Sequence, residues 1–313
     1  MRQTSAMLGV TASVMLAACA VLIGTPATPV ASTSVATHHS ATHSGSAKGF
    51  LHGIRICGTP ELTAADVDLV ERFTDAERRK LGKRAAAALS GPIPVAFHCV
   101  YLDDGFFSIG LLTQLEIQAQ IDLLNTTYSG TGVSFFLAST SFTNNEDWFF
   151  HSPGSADERN MKLALSSDPR SFLNIYSTGL SQIGLLGYAT FPWNLRRNPD
   201  LDGVVIGFDT LPGGTATPYD EGDTAVHEVG HWCGLYHTFQ GGCSKRNDNV
   251  SDTPAESAAF FGCTFVQPDS CPAAGLDPIF NFMDYSDDAC LDNFTAGQAA
   301  RMLKMLTTYR TGL

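Results

Sequence analysis

The chain has no CxxC pair, no internal repeat and no basic run interleaved with aromatics. The first absence excludes a structural zinc ribbon. The second excludes a solenoid or array. The third leaves nothing to follow a phosphate backbone, so nucleic acid is excluded as a partner. Positive charge is scarce overall: 19 Lys and Arg stand against 31 Asp and Glu, a net charge of −12. That excess is a solubility feature of an exported protein and by itself says nothing about substrate.

Long apolar runs are also missing, with one exception: Met7 to Gly24, which follows Arg2 and precedes a Pro/Ala/Thr/Ser stretch. This is the layout of an export signal, expected over residues 1–24. Rich in Ala and Thr and barely long enough to cross a bilayer, it implies no stable membrane insertion after its removal. Leu16-Ala17-Ala18-Cys19 resembles a bacterial lipobox. Two locations therefore stand side by side: secreted, or lipid-anchored at the cell surface through Cys19. Residues 25–49, rich in Ser, Thr, Ala and His, are expected to be a disordered linker.

What remains is 44% hydrophobic over a chain of 313 residues, enough for a sizeable core. A prosegment-like helical region is expected over 50–91, with one helix from Thr63 to Leu89 and capping signals at Thr63/Asp66 and Thr74/Glu77. Its basic residues, Arg78-Arg79-Lys80 and Lys83-Arg84, are either a solvated face or a site where trypsin-like cleavage removes a prosegment. After Gly91-Pro92, strands are predicted at Ile93–Leu102, Val133–Ser139, Phe172–Ser177 and Val204–Phe208. Helices are predicted at Leu112–Asn125, Asp157–Leu165, Asp223–Gly234 and Ala296–Leu306. The first places Leu112, Leu115, Ala119 and Leu123 on its buried side. The class is α/β, with one catalytic domain over 92–313.

The chemistry lies in His227-Glu228-Val229-Gly230-His231-Trp232-Cys233-Gly234-Leu235-Tyr236-His237. Residues four apart on a helix sit about 40° from one another, so His227 and His231 can share one ion, with Glu228 beside them as general base. Gly234 can take the left-handed conformation that ends the helix and brings His237 round as third ligand. Three imidazoles with a fourth position open to water make a catalytic Zn²⁺ site. Cys233, about 200° round the helix from His231, belongs to the core or to a disulfide. An endopeptidase is the reading these residues favour. A protease-like protein that binds zinc without turnover and a zinc hydrolase of a non-peptide bond are the alternatives.

HExxHxxGxxH resembles the metzincin zinc site, and Asn281-Phe282-Met283-Asp284-Tyr285 resembles its Met-turn. With His227 through Cys243, Ser251-Asp252-Thr253-Pro254, Gly275-Leu276-Asp277-Pro278 and Asp287-Asp288-Ala289-Cys290, the chain from about residue 93 resembles the pappalysin (ulilysin-like) family of secreted fungal and bacterial metalloproteases. The resemblance implies a twisted mixed sheet with a backing helix, the zinc helix above the cleft, and an irregular, disulfide-stapled lower subdomain ending in a helix. It implies hydrolysis of proteins or peptides, with Met283 as an apolar floor beneath the zinc and Tyr285 near the metal or the tetrahedral intermediate. It implies disulfides Cys243–Cys271 and Cys263–Cys290, and Ca²⁺ held by Asp248, Asp252 and carbonyls near Val250 and Thr253.

Cys57 resembles the prosegment cysteine that occupies the open zinc position in metzincin zymogens, with Cys99 and Cys233 then bridged. The rival pairing is Cys57–Cys99 with Cys233 free. Gly184–Thr190 holds either an edge strand on which substrate adds antiparallel or a packed interior strand. Asp287 and Asp288 are candidates for the pocket after the scissile bond, which would favour Lys or Arg there.

Overall fold

Along Ile93–Asp103 the odd residues Ile93, Val95, Phe97 and Cys99 serve one core, and Val100 with Leu102 serves another. The computed structural model describes residues 56–82 and 89–313. The expected export signal with Cys19, the linker and the end of the first expected helix lie outside the described residues. All described residues belong to one unit, Lys48–Leu313.

The elements in chain order are α1 (Ala64–Leu81), β1 (Ile93–Asp103), β2 (Ser108–Ile109), α2 (Gln114–Thr127), β3 (Phe135–Asn144), α3 (Glu146–Phe149), α4 (Ala156–Leu165), β4 (Leu173–Thr178), β5 (Gly187–Ala189), β6 (Val204–Gly207), α5 (Asp223–Trp232) and α6 (Ala296–Tyr309). β1, β3, β4 and β6 run parallel, and β5 closes one edge antiparallel to β6. Both faces of the sheet are covered, which is why β4 and β6 are buried along their whole length. One face packs α2 and α5 through Ile117, Ile121, Val226 and Val229. The other packs α3 and α4 through Phe149 and Met161.

Helix caps follow the side chains that can bond the first orphan amides. Thr63, Thr113, Ser155 and Thr295 are N-caps, and Thr113 with Glu116 and Thr295 with Gln298 form complete capping boxes. Two sequence expectations give way here. Thr74 starts no helix; it lies inside α1, its hydroxyl bonded to the Val70 carbonyl and close to Tyr309. On α2 the buried stripe is Ile117, Ile121 and Leu124, whereas Leu115 is 82% exposed. The helix begins two residues later than the apolar pattern suggested, because Thr113 and Glu116 set its start.

Below the cleft the chain is irregular and stapled by Cys243–Cys271 and Cys263–Cys290, the crossed pairing that the resemblance implied. Past α6, the fully buried Arg310 makes a bidentate pair with Asp202, and its guanidinium lies 3.7 Å from the centre of the Trp232 ring. Trp232 Nε1 donates to the same carboxylate, so the last turn of α5 is tied to the chain's C-terminal end.

Candidate active site

Helix α5 is positioned from both ends. Asp288 Oδ2 accepts the amides of Glu221 and Asp223, placing a carboxylate at the positive end of the helix. At the other end Gly234 adopts φ 97°, and a Cβ there would meet Met305 Cγ at 2.6 Å, so both conformation and space require glycine. Beyond that turn the chain doubles back and delivers His237. The Nε2 atoms of His227 and His237 then lie 3.2 and 3.0 Å from that of His231. Met283 is fully buried against Gly230 of α5, where a Cβ would meet its sulfur at 2.4 Å.

The other nitrogens of two of these rings face carbonyls: His227 Nδ1 to Phe282 O at 2.7 Å and His231 Nδ1 to Leu235 O at 2.8 Å. A carbonyl only accepts, so each Nδ1 carries the proton and each Nε2 presents a lone pair. Burial pushes the pKa of His231 down to about 4, and burial with the neighbouring His231 pushes that of His237 well below the usual histidine range. Neutral lone pairs converging at about 3 Å repel unless a cation sits among them. The donor set fits a zinc ion.

Cys57 completes a four-residue cluster with the histidines, its ligand atom within 4.8 Å of theirs and its sulfur 3.7 Å from His231 Nε2. Burial, and then the nearby Glu228 carboxylate, push its thiol pKa well up, so only a bound cation would hold it as thiolate. The segment reaches this position as an added strand: Gly58 N donates to Gly187 O at 2.7 Å and Leu186 N to Ile56 O at 3.0 Å, parallel to β5. β5 is therefore an edge strand. Gly187 lets it approach α5 closely, since a Cβ there would meet Glu228 Cγ at 2.8 Å. Thr59 Oγ1 donates to Glu228 Oε2 at 3.0 Å and accepts from Ala189 N at 2.8 Å. Tyr285 is half-buried with its hydroxyl 3.3 Å from His237 Nε2.

The remaining candidates divide. Asp248 and Thr253 are buried with Oδ2 and Oγ1 lacking any hydrogen-bond partner, and burial pushes the Asp248 pKa up to about 7. Such orphaned hard oxygens fit a calcium ion. Asp252 is not among them. Its two oxygens accept Thr295 Oγ1 and Gly297 N, so it tethers the start of α6 instead. Asp288 is buried and accepts the backbone amides at the start of α5, and Asp287 beside it is half-buried. Cys99 and Cys233 are both buried free thiols, so neither the Cys99–Cys233 bridge nor the rival Cys57–Cys99 bridge is formed. Cys99 instead donates to Gly110 O and accepts from Leu112 N. Sequence reasoning missed the contact of Thr59 with Glu228, the close approach of Gly187 to the same side chain and the capping role of Asp288. Each is a pairing across the fold, and no periodic signal along the chain singles it out.

A family model described as pregnancy-associated plasma protein-A, peptidase family M43, matches residues 165–307. An extracellular metalloprotease of Pyricularia oryzae is 41% identical over 260 residues, 82% of this chain and 90% of the relative. One of Verticillium alfalfae is 42% identical over 261 residues, 81% of this chain and 89% of the relative. Among solved structures, a promirolysin variant of Tannerella forsythia superposes with a TM-score of 0.65 at 27% identity, over 82% of this chain and 96% of that one. Mature mirolysin with a cleaved peptide gives 0.58 at 30% identity, over 68% and 91%.

Proposed function

Because this chain belongs to the M43 peptidase family, the pappalysins, and is a metalloendopeptidase, we propose that His227, His231 and His237 hold its zinc ion and that Glu228 is its general base. The observation that carries this assignment is the convergence of three Nε2 lone pairs beside a buried carboxylate. Zinc, when bound, supplies a Lewis acid that polarises the scissile carbonyl and acidifies water. Glu228 takes the water proton and returns it to the leaving amine. Tyr285 donates its hydroxyl proton toward the developing oxyanion, with burial holding its pKa above the usual tyrosine value. Met283 packs beneath the three rings and fixes their height.

Residues 50–91, α1 included, act as a removable prosegment in this reading. Cys57 fills the open metal position, and Thr59 engages the base. The share of this chain matched by the mirolysin precursor, 82%, exceeds that matched by the mature enzyme, 68%, which supports a segment lost on activation. Calcium is assigned to Asp248 and Thr253, and a basic preference after the scissile bond to Asp287. The protein acts outside the cell, as the names of its relatives indicate for them, either free or anchored through Cys19.

Proteomic mapping of cleavage sites by the activated enzyme, with a chelator control and the Glu228→Gln variant, tests the assignment. Chelator-sensitive cleavage that survives Glu228→Gln would remove Glu228 from its role. Cleavage with no enrichment of Lys or Arg after the cut would remove Asp287 from the specificity pocket.

A further inference from the structure

Gln240 behaves as a piece of strand. Its Nε2 donates to the Leu62 carbonyl at 2.7 Å, and its Oε1 faces the Leu62 amide at 3.4 Å, so one carboxamide grips both backbone groups of a single residue. The carboxamide is 5% exposed, and its own backbone amide donates to the carbonyl of His237 at 3.1 Å, which ties it to the third histidine. Beside it the Leu62 and Val67 side chains pack on an aromatic shelf of Phe191, Trp193 and Tyr236. Phe191 and Trp193 are stacked 4.4 Å apart, and Phe191 meets the edge of the His231 ring at 5.4 Å.

Nothing in this grip reads the identity of residue 62 beyond an apolar side chain. A carboxamide paired to a peptide unit accepts any sequence, while an aromatic shelf selects large apolar side chains. The shelf lies past the C-terminal end of β5. The segment through Cys57 runs parallel to that strand, whereas a substrate adding antiparallel runs the other way. The residues of such a substrate that precede its scissile bond would therefore lie where Leu62 now lies.

We propose that Gln240 with Phe191, Trp193 and Tyr236 forms a subsite of the activated enzyme for a large apolar residue a few positions before the scissile bond, Gln240 holding that residue's backbone. This rests on the reading that the segment carrying Leu62 is released on activation and that substrate adds antiparallel.

The test uses the activated full-length protein, whose N-terminus is sequenced first. A peptide library then gives the preference before the scissile bond, and kcat and KM are measured for a long peptide spanning those positions and a short one beginning near the cut. Enrichment of Phe, Leu or Tyr at one upstream position is expected. The Gln240→Ala variant is expected to lower the long-to-short ratio of kcat/KM about tenfold, mainly through KM. Trp193→Ala, a change at the half-buried edge of the shelf, is expected to flatten the upstream preference; it keeps the test decisive should Gln240→Ala fold poorly. Enzyme that has lost residue 62 yet shows a flat upstream profile, with the ratio unmoved by Trp193→Ala, overturns the subsite alone. Active enzyme that still carries Leu62 overturns the subsite and the release reading together.

Discussion

Thr59 donates its hydroxyl proton to Glu228 Oε2 at 3.0 Å, so the N-terminal segment engages the general base directly. Cys57, two residues earlier, reaches the metal position, and both contacts are held by the same added strand along β5. The proposed latent precursor would then have two independent handles. Cys57→Ser is expected to make the full-length protein active as purified, whereas the wild-type protein needs a mercurial or proteolysis. Thr59→Val is expected to raise basal precursor activity by about tenfold, the loss of one hydrogen bond to a charged group, without abolishing mercurial activation. Hydrolysis of a quenched peptide before and after mercurial treatment checks both; a Cys57→Ser protein that stays silent would remove the switch.

Glu228→Gln keeps the shape of the side chain and removes the base. Peptidase activity is expected to fall by roughly 10²–10⁴-fold while one zinc per protein is retained. Metal analysis of the purified variant beside its kinetics separates loss of the base from loss of the ion.

Calcium is expected to raise the melting temperature of the protein through Asp248 and Thr253. At about 100 times the dissociation constant the gain is ~2.7 kcal/mol, and Asp248→Asn should abolish it. Asp252→Asn should leave the calcium response in place while loosening the start of α6, since its oxygens accept Thr295 Oγ1 and Gly297 N. Melting curves with and without calcium for the two variants decide between these assignments.

Beneath β5, Lys162 and Glu158 form a buried ion pair at 2.7 Å. Burial works against the Glu158 carboxylate, but the Lys162 ammonium and the amide of Gly154 outweigh it and hold its pKa below the ordinary 4.5. A lowered folded-state pKa means that the native form sheds its proton more readily than the unfolded chain. The contribution of the Glu158 carboxylate is therefore present above pH 4.5 and is lost as the pH falls through the folded value, while burial lowers the Lys162 pKa and offsets part of the pair's gain. Lys162→Met is expected to cost about 3–5 kcal/mol at neutral pH by leaving an unpaired buried carboxylate. Burial then raises the Glu158 pKa in the variant, reversing the sign, so the stability gap to wild type should narrow as pH falls from about 7 to about 4. Denaturant unfolding across that range measures the gap.

Arg310→Leu is expected to destabilise by a similar ~3–5 kcal/mol, because it strands the fully buried Asp202 carboxylate that also holds Trp232. Unfolding midpoints measured for Arg310→Leu alone and with Asp202→Asn should show the second change recovering part of the loss.

The sequence by itself determined whatever depends on spacing along one element. His227 and His231 share one face because a helix returns to the same side after four residues, and Gly234 turns the chain because glycine takes a positive φ at least steric cost. The parallel strands were visible as apolar runs, and the capping boxes at Thr113 and Thr295 as short-range patterns. The crossed disulfides came from resemblance rather than spacing. Periodicity failed on α2, where Leu115 fits the apolar pattern but lies outside the buried stripe.

Only the tertiary structure decided which distant groups meet. Cys57 and His231 are 174 residues apart, Thr59 and Glu228 are 169 apart, and Gln240 lies 178 from Leu62. No local pattern encodes such pairings, because they arise from the order in which strands join the sheet and from where its edge is left open. The same reason explains Asp252 and Asp288. Their sequence neighbourhood suggested a metal and a substrate pocket, but the folded chain sets each beside a helix N-terminus, where orphan amides take up the carboxylates.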